Sequence, residues 1–300
     1  MSFTFIVLTN FYPAANQAMQ YAAGLAAKLQ AQLVLLHVKR ASLFDPYVFA
    51  GENWRKAELD AEAPTAEAMQ ELVARLPVPA TVEMATDLLP AMAHSLMARY
   101  HPALFVLGRP AEAVASGDQV SGAALDLLRA AHFPLLLVPV GTTAAAPPHQ
   151  VLIAADTESF GLEEEGQFAQ QLLSSLQCPA TVAHISEMED DDACAMALQA
   201  VHNSGLVAGN QQVELRCFQN SHTAAGILEA AQATQAGLIL LIARQRSYLG
   251  ELFHRSVTAQ VLQHTPVPVL LLPAVEMPVS DTAAAFQRQQ AGTEADDLMF

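Results

Sequence analysis

The chain has 300 residues, of which 52% are hydrophobic and 15% are charged, so it is long enough for about two packed domains and too apolar to be disordered. Its 14 basic and 30 acidic residues give a formal net charge of −16, which argues against general binding to nucleic acid or to an anionic membrane surface. No apolar run approaches about 18 residues, and the run Phe3–Leu8 is too short for a signal-peptide core. These features predict a cytoplasmic protein without a transmembrane helix.

The sequence repeats itself, with the second copy shorter in the middle. The segment Pro134–Pro139 reappears 134 residues later as Pro268–Pro273, and Phe5–Asn10 reappears 146 residues later as Val151–Asp156. We therefore predict a first domain over residues 1–140, a linker over 141–150 and a second domain over 151–274. The segment 275–300 is polar and acidic with little periodicity, and we expect it to be a disordered tail.

Each repeat alternates short apolar runs with stretches of helical periodicity. In the first repeat the predicted elements are, in order, a strand at Ile6–Leu8, a helix beginning near Pro13, a strand at Gln32–Val38, a helix at Ala66–Leu76, a strand at Ala80–Ala85, a helix at Leu89–Tyr100, a strand at Ala103–Leu107, a helix at Val120–Ala131 and a strand at Leu135–Val138. The apolar strands are continuous rather than alternating, which is typical of strands buried on both faces. The sequence therefore predicts an α/β fold with a mostly parallel sheet covered by helices.

Ligands of such sheets bind at the carboxyl ends of the strands, so the residues that follow the strands are the candidates for a site. Asn10 and Asp156 follow the first strand of each repeat, and Val38 and Ile185 stand at the ends of the second strands. The remaining candidates follow the fourth strands or open the last helices; they are Gly108, Arg109, Gly122, Arg244, Arg246, Arg255 and Ser256.

The order of these elements resembles the universal stress protein family in its tandem two-domain form. The resemblance rests on Thr9-Asn10 and Ala155-Asp156 after the first strands, on the strand Leu35–Val38, on Leu104–Gly108, and on the closing proline-bracketed strands. It implies two flavodoxin-like (adenine nucleotide alpha hydrolase-like) domains, each a five-stranded parallel sheet in the order 3-2-1-4-5. Many members of that family bind ATP through G-x2-G-x9-G-[ST] after the fourth strand, and an Asp that ends the first strand contacts the nucleoside.

This sequence departs from that motif in both repeats. The first repeat has Gly108 and Gly122 but places Ala111 and Ser121 at the other motif positions, and Asn10 replaces the acid. The second repeat keeps the acid, Asp156, and the closing hydroxyl, Ser256. Its three glycine positions hold Ile242, Gln245 and Arg255. A β-branched side chain at a glycine position fills space where phosphate would lie.

Three arginines, Arg244, Arg246 and Arg255, lie close together in this otherwise acidic half. Two interpretations are open: they pair with nearby carboxylates, or they hold an anion through their side chains. We expect a non-enzymatic stress-response protein with degenerate nucleotide sites that acts as a scaffold for other proteins. The alternatives are a sensor that binds ATP or AMP at one usable site and, less favoured, a nucleotide-dependent enzyme. No metal site is expected.

The remaining expectations concern packing and assembly. His37 and His184 occupy equivalent strand positions and are expected to be packed structural residues, with a pH-sensing role as the alternative. The three cysteines, Cys178, Cys194 and Cys217, are expected to be buried or idle thiols. In the resembling family the last strand pairs with its twin across a two-fold axis. We expect the two repeats of this chain to supply each other's partner strand, with exchange between two chains in a homodimer as the alternative.

Overall fold

The structure is a computed structural model that describes residues 3–9, 11–38, 65–85, 89–109, 133–142, 147–162, 164–207, 212–244 and 256–276. The first half contains, in order, β1 (Thr4–Leu8), α1 (Pro13–Leu29), β2 (Gln32–Val38), α2 (65–74), β3 (Ala80–Ala85), α3 (Leu89–Tyr100), β4 (Ala103–Arg109) and β5 (Leu135–Pro139). The second half contains β6 (Val151–Ala154), β7 (Phe160–Gly161), α4 (Glu164–Leu176), β8 (Ala180–Ser186), α5 (Asp191–Asn203), β9 (Val213–Gln219), α6 (Thr223–Ala233), β10 (Leu238–Arg244), α7 (Val257–His264) and β11 (Val269–Glu276).

The strands form one sheet of 11 strands, in the order β3-β2-β1-β4-β5-β11-β10-β6-β8-β9, with β7 paired to β11 off this path. Within each half the neighbouring strands on this path are parallel. The two halves meet at β5 and β11, which pair antiparallel, with Leu136 opposite Leu270. The predicted α/β class with a mostly parallel sheet is confirmed.

Burial along the strands follows their position in the sheet. Every residue of β5 is buried, whereas the outermost strands β3 and β9 consist almost entirely of exposed and half-buried residues. This difference arises because helices cover both faces of the central strands, while a strand at the edge has a neighbour on one side only.

The apolar layers on the two faces of the sheet continue from one half into the other. On one face, the ring of Phe168 in α4 lies edge-on to the ring of Phe3, with centroids 4.9 Å apart. Lys28, in the last turn of α1, donates a hydrogen bond of 2.8 Å to the carbonyl of Leu176 at the end of α4. Helices α1 and α4 thus pack together across the junction and bury it.

Several elements differ from the sequence-based expectations. Strand β4 continues to Arg109, β11 continues to Glu276 beyond the expected domain end, and the two-residue strand β7 was not predicted. The predicted helix at Val120–Ala131 and the tail beyond Glu276 lie outside the described residues. None of the helices in the described ranges is long and apolar enough to cross a membrane.

The expectation of idle thiols is wrong for two of the three cysteines. Cys194 on α5 and Cys217 on β9 form a disulfide, with their Cα atoms 6.0 Å apart. The two residues are 23 positions apart in the sequence, and the crossover of the chain from β8 through α5 to β9 brings them together. Cys178 is a buried thiol outside this disulfide, as expected.

Candidate functional site

The carboxyl end of β10 carries a buried arginine that is bound to the candidate nucleoside-contacting acid. The Arg244 side chain is 4% exposed, and it donates to both carboxylate oxygens of Asp156, with distances of 3.1 Å from Nε to Oδ2 and 2.6 Å from Nη2 to Oδ1. This two-point geometry matches the planar guanidinium to the carboxylate and is the stronger form of an ion pair. Arg244 therefore holds the side chain that the resemblance assigns to the nucleoside.

The remaining donors of Arg244 are also engaged. Nη2 donates to the carbonyl of Glu158 at 2.6 Å, Nη1 donates to the carbonyl of Ser159 at 3.3 Å, and the Glu158 carboxylate lies 3.8 Å from Nη1. The guanidinium also lies 6.0 Å from the centre of the Phe160 ring. With these contacts in place, Arg244 has little hydrogen-bonding capacity left for an anion.

The segment that surrounds Arg244 is held in place by β7. This short strand pairs antiparallel with the end of β11, with Gly161 opposite Val275 and Phe160 opposite Glu276. The turn before it is closed by the Glu158 amide, which donates to Asp156 Oδ1 at 3.1 Å. The loop after β6 is thereby folded back over the end of β10, which explains why a charged side chain at that position is buried.

The corresponding place in the first half is closed by backbone contact. A Cβ atom built on Gly108, near the end of β4, would lie 2.0 Å from the carbonyl oxygen of Ala14 in the first turn of α1. The absence of a side chain at Gly108 is therefore required by the packing of α1 against β4. In the second half α4 begins ten residues after the end of β6, instead of five as in the first half, and the equivalent position holds Ile242.

Arg109 follows Gly108 and reaches into the other half of the molecule. Its Nη1 donates to the carbonyl of Gln263 at 2.9 Å, and its Nη2 donates to the carbonyl of Thr265. These carbonyls belong to the C-terminal end of α7, where the helix dipole favours a positive charge. Burial lowers the pKa of Arg109, because the charged form loses solvation.

The other described candidates are engaged in local packing. The hydroxyl of Ser256 caps α7 by accepting from the amide of Ala259 at 3.1 Å. Ile185 packs so closely on α6 that a Cβ on Gly226 would lie 2.5 Å from its Cγ2. Val38, at the end of β2, is half-buried against the apolar layer on the same face of the sheet as Ile185.

The two strand histidines make equivalent contacts, which agrees with a structural role for both. His37 Nδ1 lies 3.0 Å from the carbonyl oxygen of Thr9, and His184 Nδ1 lies 3.1 Å from that of Ala155. Because a carbonyl oxygen only accepts, Nδ1 is the protonated nitrogen in each ring. Each histidine therefore fixes the backbone directly after the first strand of its half.

Four of the candidates lie outside the described residues, and their binding role stays a prediction: Asn10, Gly122, Arg246 and Arg255. Sequence reasoning missed Glu158 and Ser159, whose carbonyls bind Arg244, and it missed the end of α7 as the partner of Arg109. No side-chain pattern marks a backbone acceptor, so neither contact leaves a signal in the sequence. Among the residues that the structure describes, no group of three or more His, Cys, Asp or Glu side chains is arranged to hold a metal ion.

The second half carries the match that relates this chain to known proteins. Residues 187–273 match the Universal stress protein family. That region runs from the residue after β8 into β11, and so it includes β10 with Arg244 and the helix capped by Ser256. Among the curated proteins, none matches this chain.

Solved structures resemble nearly the whole chain in fold. A universal stress protein from Archaeoglobus fulgidus DSM 4304 is similar with a TM-score of 0.66 and 17% identity, over 90% of this chain and 98% of that one. A functionally unknown protein from Pseudomonas aeruginosa PAO1 has a TM-score of 0.52 and 14% identity, over 90% and 92%. The cytoplasmic domain of a prokaryotic cation chloride cotransporter has a TM-score of 0.50 and 11% identity, over 92% and 96%. At these identities the likeness concerns the fold alone.

Proposed function

We propose that the entire chain is a tandem universal stress protein of the cytoplasm, non-enzymatic, whose nucleotide sites are degenerate and which acts through contacts with other proteins. The observation that carries this proposal is the bond between Arg244 and Asp156. A nucleotide that took over both carboxylate oxygens of Asp156 would first have to displace a buried guanidinium from that carboxylate and from the carbonyls of Glu158 and Ser159. Displacement would leave a buried charge without its partners, which is costly.

The first half supports the same proposal in a different way. Gly108 is accounted for by its contact with Ala14, and Arg109 is accounted for by its bonds to the end of α7. Both residues therefore have a structural reason to be present that does not involve a ligand. The preserved glycine is thus no sign of a working phosphate site.

Exposed apolar side chains near the first-half site favour a role in protein contact. Phe11 and Tyr12, between β1 and α1, are 39% and 68% exposed, and Met84, near the end of β3, is 38% exposed. Phe11 lies against His37, with ring centroids 5.4 Å apart. Large apolar residues grouped at one edge are typical of a surface that binds another protein.

We propose further that one chain is a complete unit. The pairing of β5 with β11 leaves neither strand with an open edge, and the packing of α1 on α4 buries the same junction. Light scattering coupled to size exclusion should give the mass of one chain. A mass of two chains at all concentrations would contradict this part of the proposal.

The nucleotide part is tested by thermal unfolding of the wild type and of D156A with millimolar ATP, ADP or AMP. A ligand at 100 times its Kd would stabilise the fold by about 2.7 kcal/mol, which is easily detected. The proposal predicts no stabilisation of either protein. A stabilisation that D156A abolishes would overturn it in favour of a second-half sensor site, and one that D156A retains would do so in favour of a first-half site.

A further inference from the structure

The disulfide between Cys194 and Cys217 lies at the outer edge of the second half. Cys194 belongs to the first half of α5 and is 1% exposed, whereas Cys217 lies on the edge strand β9 and is exposed. The bond therefore joins an exposed residue to a buried one. Accessibility of one partner is a feature of disulfides that exchange with small thiols.

The fold does not need this bond. The first half builds the same strand–helix–strand unit from β2, α2 and β3 although its sequence contains no cysteine. Strand register shows the difference directly: His37 on β2 is opposite Met84, and the equivalent His184 on β8 is opposite Cys217. A pair of cysteines confined to one of two like units points to a task beyond holding the fold together.

The neighbour of Cys217 is suited to thiol chemistry. His184 is its register partner, and their side chains lie on the same face of the sheet. His184 donates from Nδ1 to the carbonyl of Ala155, so in the neutral ring Nε2 keeps a lone pair. A base beside a thiol is one of the arrangements by which proteins activate a sulfur nucleophile.

We propose that Cys217 is a redox modification site that reacts with low-molecular-weight disulfides such as oxidised glutathione, with Cys194 as the resolving thiol. The Cys217 thiolate attacks one sulfur of oxidised glutathione, forms a mixed disulfide and releases one glutathione thiolate. The Cys194 thiolate then attacks Cys217 Sγ, forms the protein disulfide and releases the second glutathione. Two protein thiols are oxidised, one oxidised glutathione is reduced to two molecules of glutathione, and the thiol protons pass to the released thiolates.

The structural consequence concerns the edge of the sheet. Within the described part of the chain β9 pairs with β8 alone, so the disulfide ties this edge strand to the helix that covers it. Reduction removes that tie and loosens α5 and β9 relative to the rest of the sheet. The inference does not depend on the proposed function, since neither Arg244 nor Asp156 takes part in it.

The assignment of the two thiols is tested in a C178S background, so that only the two cysteines of interest remain. Oxidised glutathione should add one glutathione to the C194S variant, at Cys217, and none to the C217S variant, as measured by intact-protein mass spectrometry. The parent C178S protein should form the internal disulfide without a retained adduct. Equal modification of C194S and C217S, or no modification of C194S, would overturn the assignment.

The loosening of α5 and β9 on reduction is tested by hydrogen exchange of the C178S protein in its oxidised and reduced forms. Exchange of β9 and α5 amides should be at least about tenfold faster after reduction with glutathione, while β3 and α2 serve as the internal control and stay unchanged. Failure of glutathione to reduce the bond would overturn the proposal, and so would equal exchange in the two forms.

Discussion

The guanidinium of Arg244 and the carboxylate of Asp156 form a two-point ion pair in which the arginine is 4% exposed and the aspartate 53% exposed. The pair joins the end of β10 to the loop that follows β6. Those two strand ends are where the resemblance to universal stress proteins places the nucleoside and the phosphates. The chain thus supplies a cation of its own at the position that the resemblance gives to a ligand.

Removal of this arginine should destabilise the second half. We expect R244A to lower the free energy of unfolding by about 2–3 kcal/mol, because bonds to one carboxylate and two carbonyls are lost, although the half-exposed Asp156 regains water. R216A is the matched control, because it removes an ion pair between Arg216 and Glu214 in which both side chains are exposed. It should lower the free energy of unfolding by less than about 1 kcal/mol. Urea unfolding checks both, and equal losses would show that Arg244 has no special role.

Gly108 should be intolerant of any side chain. We expect G108A to destabilise the protein by about 3 kcal/mol or more, since its Cβ would meet the backbone of Ala14 at 2.0 Å and α1 would have to move. G237A is the control and should destabilise the protein less, because a Cβ at that position would approach no closer than 3.2 Å, to Pro148 Cα. Thermal unfolding compares the two variants. A mild effect of G108A would mean that the glycine is present for another reason.

Arg109 should couple the two halves through α7. We expect R109A to lower the free energy of unfolding by about 2 kcal/mol, because two carbonyls at the end of the helix lose a charged donor. Amide exchange in the last turn of α7 should become faster. R109K should recover little of the lost stability, since an ammonium group does not have the forked geometry by which a guanidinium reaches two carbonyls. R75A removes an exposed ion pair with Glu71 and is the control. Unchanged exchange in α7 after R109A would exclude this coupling.

The two tyrosines Tyr21 and Tyr100 should respond oppositely to loss of their hydroxyl groups. Tyr21 Oη is buried without a hydrogen-bond partner, so Y21F should stabilise the fold by about 1 kcal/mol at neutral pH. Tyr100 donates to Glu83 at 2.5 Å, so Y100F should destabilise it by a similar amount. Urea unfolding at neutral pH measures both. Destabilisation by Y21F would indicate that the buried hydroxyl has a favourable partner.

Tyr21 should also make the free energy of unfolding depend on pH. Burial raises the pKa of its hydroxyl above that of the unfolded chain, which is about 10. The folded state therefore keeps a proton that the unfolded state loses above about pH 10, so the free energy of unfolding does not depend on this group below that pH and declines as the pH rises further. Unfolding free energies measured on both sides of about pH 10 should fall less steeply for Y21F than for the wild type. Equal slopes would contradict the assignment.

The sequence was sufficient for the class of the fold and for the central strands of the sheet. Continuous apolar runs predicted the central strands, and Pro13 marked the first residue of α1. The ends of the strands were predicted less well. Strand β4 continues through Gly108 and Arg109, although neither residue type is typical of a buried strand. Strand β7 has two residues and no pattern that could reveal it.

The contacts of the site could be predicted only in outline. Pairing of the arginines with carboxylates was one of two interpretations, and Arg244 adopts it with Asp156. Which carboxylate pairs, however, depends on β6 and β10 being neighbours, which is a property of the folded sheet. The disulfide was missed for the same reason, since Cys194 and Cys217 come together only when the chain passes from β8 through α5 to the parallel strand β9.

Whether Arg244 takes the place of a ligand at Asp156 is decided by a crystal structure of the full chain grown with millimolar ATP. We expect both hydrogen bonds from Arg244 to Asp156 to remain, with no nucleotide density between β6 and β10. ATP bound there, with Asp156 on the nucleoside and Arg244 moved aside, would show that the arginine does not replace a ligand.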